Sequence, residues 1–150
     1  MSIRTGGCLC GDVRYFIADV PVRQAICHCR HCQRQCGTAF SALLIVPTTA
    51  LEVQGDTRIY LDRGDSGNTV NRHFCGRCGS PIFTALPSRS DSRFIKAGTL
   101  DDPQIMAPEV HVWCESAWRS TPIPVAAKTF PKGPSQARKA GTGARSSAID

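Results

Sequence analysis

The cysteines are the feature that most constrains this chain. Seven of the nine fall into three short clusters: Cys8 and Cys10; Cys27, Cys29 and Cys32; and Cys75 and Cys78. A structural zinc site fills all four tetrahedral positions with side chains, whereas a catalytic site keeps one position for water or substrate. Seven thiolates divide into one closed site of four and one open site of three. The count therefore predicts two zinc ions per chain, and three ligands at one of them would leave a position for water or substrate.

The first and third clusters have spacings that suit a shared metal. Two sulfurs on one tetrahedral zinc lie about 3.8 Å apart, closer than alternate side chains on a straight strand, so the backbone must bend at each pair. Gly11 follows the first pair and Gly79 the second, and both supply that freedom. A redox-active CxxC is the alternative, but it usually neighbours a βαβ pattern, which the sequence lacks. We predict a structural zinc held by Cys8, Cys10, Cys75 and Cys78.

The middle cluster supplies three thiolates at CxCxxC spacing, and spacing alone does not define its fourth ligand. A zinc with a free position can take a thiolate or an aldehyde oxygen. Other side chains could instead close the site and leave it inert; these are Cys36, Cys114, His28, His31, His73 and His111. From the residues alone, both the open and the closed site remain in consideration.

Length and composition favour one domain in a reducing compartment. The 150 residues contain no internal repeat, and the longest apolar run is far shorter than the roughly 20 residues of a membrane span. Residues 1–10 carry no apolar signal segment. We therefore expect a cytoplasmic protein without a membrane partner, in which clustered cysteines hold metal rather than form disulfides.

The net charge of +6 does not by itself indicate a nucleic-acid-binding protein. Half of it lies in residues 131–150, where Pro, Gly, Ser and basic residues leave almost no large apolar side chain. Zinc bound by thiolates would bring the remainder near neutrality. We predict a single zinc-binding β domain over residues 1–130, a flexible basic tail over residues 131–150, and no nucleic-acid partner.

The rest of the chain has the pattern of a mainly β protein. Short segments with alternating, branched or aromatic residues are separated by turn residues. The predicted strands are 13–17, 40–46, 51–53, 58–61, 69–74, 82–85, 93–97 and 110–113. Residues 28–36 have a helical pattern instead, with Cys29, Cys32 and Cys36 at i, i+3 and i+7. We expect at most one short helix, near the second cysteine cluster.

Three ordered cysteine motifs carry a resemblance to a known family. They are Gly7-Cys8-Leu9-Cys10-Gly11-Asp12-Val13-Arg14-Tyr15, Cys27-His28-Cys29-Arg30-His31-Cys32 and Phe74-Cys75-Gly76-Arg77-Cys78-Gly79-Ser80-Pro81, with His111-Val112-Trp113 and Trp118 after them. Together they resemble the glutathione-dependent formaldehyde-activating enzyme and centromere protein V family, over about residues 3–133. The resemblance implies an Mss4-like fold of small, curled antiparallel sheets stapled by zinc. It also implies a structural zinc on the four outer cysteines and a catalytic zinc on Cys27, Cys29 and Cys32.

The resemblance further implies a carbon–sulfur lyase that is zinc-dependent. The family's type reaction joins a thiol, glutathione, to a small aldehyde, formaldehyde, as an S-hydroxymethyl adduct. His28 and His31 are the nearest candidates for a general acid or base. Two alternatives are a non-catalytic zinc-binding interaction module and a carrier of a thiol or metal ion. Gln33, where relatives commonly carry an arginine, and Cys36, where a small residue is usual, depart from the family pattern beside the site and leave substrate binding open.

Overall fold

The structure is a computed structural model that describes residues 3–134, so most of the predicted tail, residues 135–150, lies outside the described part. The elements in this range are β1 (Arg4–Gly7), β2 (Arg14–Ile17), β3 (Arg23–Cys27), α1 (Arg30–Cys36), β4 (Ser41–Pro47), β5 (Leu51–Gln54), β6 (Thr57–Arg63), β7 (Thr69–Cys75), β8 (Pro81–Ala85), β9 (Ser92–Lys96), β10 (Val110–Val112) and β11 (Lys128–Thr129), with five short 3-10 turns. The predicted mainly β fold with one short helix beside the second cysteine cluster is confirmed. None of the helices described is long and apolar enough to cross a bilayer.

The strands form two sheets. β1, β2 and β5 form a three-stranded antiparallel sheet, and the other eight strands are ordered β11-β10-β3-β4-β9-β8-β7-β6. The resemblance implies antiparallel sheets, and most neighbouring strands are antiparallel, but β10 runs parallel to both β3 and β11. Parallel neighbours need a long connection rather than a hairpin. The connection from β3 to β10 is long enough, because five strands of the same sheet lie between these two strands in the sequence.

β4 runs through the interior of the larger sheet and separates two hydrophobic cores. Leu44 and Val46 pack into one core with Tyr15, and Leu43 and Ile45 pack into the other. Fully burying a side chain of this size stabilises the fold by about 1.5–3 kcal/mol. The first core includes Cys8 and Cys75, and the second includes Cys27, Cys29 and Cys32. Each of the two predicted metal sites is therefore built on its own core.

Hydrogen bonds continue past the domain boundary predicted at residue 130. The Lys132 carbonyl accepts a hydrogen bond from the Trp113 N–H at 3.2 Å, and the Pro131 carbonyl accepts one from the Glu115 N–H at 3.2 Å. The backbone is therefore bonded to the β domain as far as Lys132.

Candidate metal centres and the adjoining cavity

Two loops bring the four outer cysteines together. The β1–β2 connection carries Cys8 and Cys10, while Cys75 ends β7 and Cys78 lies in the turn before β8. The Sγ atom of Cys10 lies 3.5 Å from that of Cys8 and 3.7 Å from that of Cys75. All four sulfurs lie within 4.8 Å of one another. Because sulfurs on one tetrahedral zinc are about 3.8 Å apart, this donor set fits the metal.

Local backbone geometry prepares these sulfurs as ligands. Gly11 and Gly79 have φ angles of 87° and 77°, in the left-handed region that favours glycine. The Val13 N–H donates to Cys8 Sγ at 3.2 Å. Hydrogen bonds from the side chain and backbone of Ser80 lower the pKa of Cys78 to about 5. These donors favour the thiolate, which is the form that binds metal.

The three middle cysteines meet where β3 leads into α1. Cys27 ends β3, and Cys29 caps the helix by accepting a hydrogen bond from the Cys32 N–H on its sulfur at 3.3 Å. Their sulfurs lie within 4.8 Å of one another, and the residues are only 0%, 1% and 2% exposed. Hydrogen bonds from the two neighbouring thiols hold the pKa of Cys32 well below its ordinary value, although burial opposes the shift.

No other histidine, cysteine or carboxylate of residues 3–134 joins this group of three sulfurs. His28 Nε2 lies 2.9 Å from His111 Nδ1, and His73 is stacked on Phe83. The other candidate ligands are also outside the group; these are His31, Cys36 and Cys114. A tetrahedral metal on the three thiolates would therefore have one position that the described side chains do not fill. That the seven sulfurs bind zinc stays a prediction.

Arg72 is a buried cation beside the three-sulfur group. Its Nη1 lies 4.0 Å from Cys32 Sγ, and its Nε donates to the Asp62 carboxylate at 2.8 Å. Arg72 was not among the predicted site residues. A signal was available, because Arg72 follows Val70 by two positions in a predicted strand and so shares its buried face. A charge at an inward position needs a partner, and it therefore marks a candidate site.

A cavity of about 590 Å³ shares one residue, Arg72, with the surroundings of the three-sulfur group. Residues on its wall include Arg30, His31, Arg34, Tyr60, Asp62 and Arg72. Arg72 connects the cavity to the Cys32 sulfur, since it lines the first and contacts the second. A second cavity of about 340 Å³ is also lined by Arg30, together with Trp113 and Lys132. The mixed basic and acidic wall suits a small ligand that carries carboxylates and an ammonium group.

The two candidate acid–base groups have different environments. His31 lines the larger cavity, with Nδ1 at 2.8 Å from Asp62 Oδ2 and Nε2 at 3.3 Å from Asp65 Oδ1. His28 is fully buried against His111, and burial lowers its pKa. It lines neither cavity. Of the two, His31 is the group placed to meet a ligand.

Gln33, one of the departures from the family pattern, packs inside the protein and is only 3% exposed. Its Nε2 donates to the carbonyls of His28 at 2.7 Å and Ser116 at 2.9 Å. Its Oε1 accepts a hydrogen bond from Trp118 Nε1 at 3.0 Å. This glutamine therefore holds α1 against the segment 116–118, and the exposed cations at the cavity are Arg30 and Arg34.

The class of protein is thus a mainly β domain with two groups of cysteine sulfurs, each of which could hold a metal ion. The family model described as glutathione-dependent formaldehyde-activating enzyme matches residues 3–116, and the chain belongs to this family. Its fold is similar to the crystal structure of a Rhodobacter sphaeroides protein, with a TM-score of 0.51 and 20% identity over 69% of this chain and 97% of that chain. No curated protein matches the sequence.

Proposed function

We propose that the protein is a zinc-dependent carbon–sulfur lyase that forms or breaks the S-hydroxymethyl adduct of a glutathione-like thiol and a formaldehyde-like aldehyde. The observation that carries the proposal is the group of three cysteine sulfurs that no fourth histidine, cysteine or carboxylate of residues 3–134 joins, with Arg72 in contact with both Cys32 and a cavity. Membership of the formaldehyde-activating family supports the choice of thiol and aldehyde. None of the cysteines in residues 3–134 forms a disulfide, which suits a reducing compartment and supports a cytoplasmic location.

The donor sets give the two metal ions different roles. Four cysteine ligands close a site, so Cys8, Cys10, Cys75 and Cys78 would hold a structural zinc. Cys27, Cys29 and Cys32 would hold the catalytic one. A zinc ion on these three thiolates supplies a Lewis acid with a position for the substrate thiol or the aldehyde oxygen.

The side chains around the cavity fit the remaining requirements of the reaction. The thiol loses its proton, a bond forms between sulfur and the aldehyde carbon, and the carbonyl oxygen takes up a proton. His31 lines the cavity and is held by Asp62 and Asp65, so it is placed to carry a proton between the reactants. Arg72, beside the Cys32 sulfur, stabilises negative charge at this end of the cavity.

The decisive test is acceleration of a reaction that is already facile without a catalyst. Two-dimensional exchange NMR measures how fast glutathione and formaldehyde interconvert with their adduct at equilibrium. We expect the zinc-loaded protein to raise this exchange rate, and the rise to scale with protein concentration. A carrier would bind the thiol and leave the exchange rate unchanged. An unchanged exchange rate would contradict the proposed enzymatic activity.

Recognition of the thiol by Arg34 gives a second prediction. The guanidinium is exposed on α1 and lines the cavity, where it can bind a substrate carboxylate. We expect Arg34→Gln to raise KM for glutathione up to about fivefold, the effect of losing one solvent-accessible charge pair. KM for 2-mercaptoethanol, which has no carboxylate, should not change. Arg23→Gln is the matched control, because Arg23 is exposed beside a different cavity. Equal changes for both thiols would exclude a contact with the carboxylate.

A further inference from the structure

Lys96, the last residue of β9, is a buried cation that the proposed reaction does not use. It is 5% exposed, and its Nζ donates to Ser41 Oγ at 3.0 Å. Among residues 3–134, no carboxylate lies within ion-pair distance of this ammonium group. Lysine is rarely buried unless another charge compensates it, because desolvation of the ammonium is costly. Within the described residues, the compensating charge must therefore come from something other than Asp or Glu.

The sheet register places Lys96 close to the three-cysteine group. Lys96 pairs with Leu43 across β9 and β4, so Ser41, two residues away on β4, is its diagonal neighbour. Ser41 pairs directly with Cys27 across β4 and β3. Side chains directly opposite in an antiparallel pair share a face and lie about 5 Å apart at Cβ. Ser41, which accepts the hydrogen bond from Lys96, is thus also the direct cross-strand neighbour of the first cysteine of the group.

The other buried cation beside the cysteine group already has a carboxylate partner. Arg72 Nη1 lies 4.0 Å from Cys32 Sγ, and the Asp62 carboxylate offsets the charge of this guanidinium at 2.8 Å. Lys96 is therefore the buried cation near this group that no carboxylate neutralises in the described part of the chain.

The formal charges of the proposed zinc site leave one negative charge to be balanced. Three thiolates and one divalent zinc sum to a single negative charge. The Arg72–Asp62 pair is neutral, so one buried cation is needed to balance the site. We infer that Lys96 is the counter-charge of the three-cysteine zinc site, a positioning residue that favours three ionised cysteines around the metal in a buried environment.

The inference rests on the zinc site of the proposed function, and its test has a readout other than activity. Native mass spectrometry of the purified protein counts zinc ions during titration with a chelator. Cysteine alkylation followed by peptide mapping then identifies which sulfurs have lost their metal. Two unit charges about 8 Å apart at an effective dielectric constant of about 20 interact strongly enough to change an equilibrium constant about 30-fold. A change of about tenfold or more is therefore expected.

Four variants separate charge from hydrogen bonding. Lys96→Met removes the charge and the donor, while Lys96→Gln removes the charge alone. We expect both to lose one zinc at about tenfold lower chelator concentration, with alkylation first at Cys27, Cys29 and Cys32. Lys96→Arg keeps the charge and should behave like the wild type. Lys128→Met, at an exposed lysine of β11, is the matched control and should also retain both ions.

Three results would overturn the assignment. The first is retention of both ions by the two neutral variants at wild-type chelator concentrations. The second is initial alkylation at the four outer cysteines. The third is failure of both neutral variants to fold, which would assign Lys96 to the fold rather than to the metal. A wild-type protein that carries only one zinc would instead refute the zinc site itself, so the two failures are distinguishable.

Discussion

Cys32→Ser is expected to lower the zinc content from two ions to one per chain and to abolish the acceleration of thiol–aldehyde exchange. The substitution removes one of the three sulfurs in this group. The Cys32 thiol is also the one whose pKa is lowered within the group. Loss of partners in the outer shell of a metal site already costs about tenfold to a hundredfold in affinity or activity. Loss of a ligand should cost at least about a hundredfold by the same measure.

The matched control for this variant is Cys36→Ser. Cys36 lies one turn further along α1, and its sulfur is outside both groups. Native mass spectrometry and exchange NMR should give wild-type values for Cys36→Ser. Circular dichroism should show that both variants keep the β fold, because the four outer sulfurs remain. Two zinc ions and an undiminished exchange rate in Cys32→Ser would remove the three-cysteine site from the reaction.

The sequence predicted the two cysteine groups better than it predicted the strands. The division of seven sulfurs into four and three agrees with the spatial groups, because bond lengths and coordination number leave few arrangements of short CxC and CxxC units. Three strands were not predicted: Arg4–Gly7, Arg23–Cys27 and Lys128–Thr129. The first contains two adjacent glycines, which favour turns, and the last is only two residues long and pairs with a distant segment. Neighbours in the sheet, rather than local propensity, define these strands.

The residues around the three-cysteine group could be predicted only in part from the sequence. Arg72 and Lys96 lie in predicted strands, and each follows a buried apolar residue by two positions. A charged residue at such a position conflicts with the binary pattern, and such conflicts often mark functional sites. The contact between His31 and Asp62 has no comparable signal, because it joins α1 to a strand that begins 21 residues after the helix ends. Only the tertiary fold brings these two groups together.

Cys75→Ser should have the largest effect on stability. The four outer sulfurs connect the β1–β2 turn to the β7–β8 turn across 65 residues of sequence, and Cys75 itself is 1% exposed in the core. A structural zinc site can supply about 10–16 kcal/mol of apparent binding free energy in small domains, which is comparable to the whole stability of about 5–15 kcal/mol of a folded domain. We expect the variant to lose at least about 4 kcal/mol, or roughly 12–20 °C in Tm.

Thermal unfolding followed by circular dichroism, with zinc counted by native mass spectrometry, measures this effect. Cys114→Ser is the control, since Cys114 is half-buried but its sulfur belongs to neither group, and its Tm should change by only a few degrees. Cys75→Ser and Cys32→Ser should differ in both zinc content and folding. A closed site should be needed for the fold, so Cys75→Ser should lose both ions as the domain opens, whereas Cys32→Ser should lose one ion and stay folded. Equal losses of Tm and zinc in the two variants would mean that both sites serve the fold, and no separate catalytic site would remain.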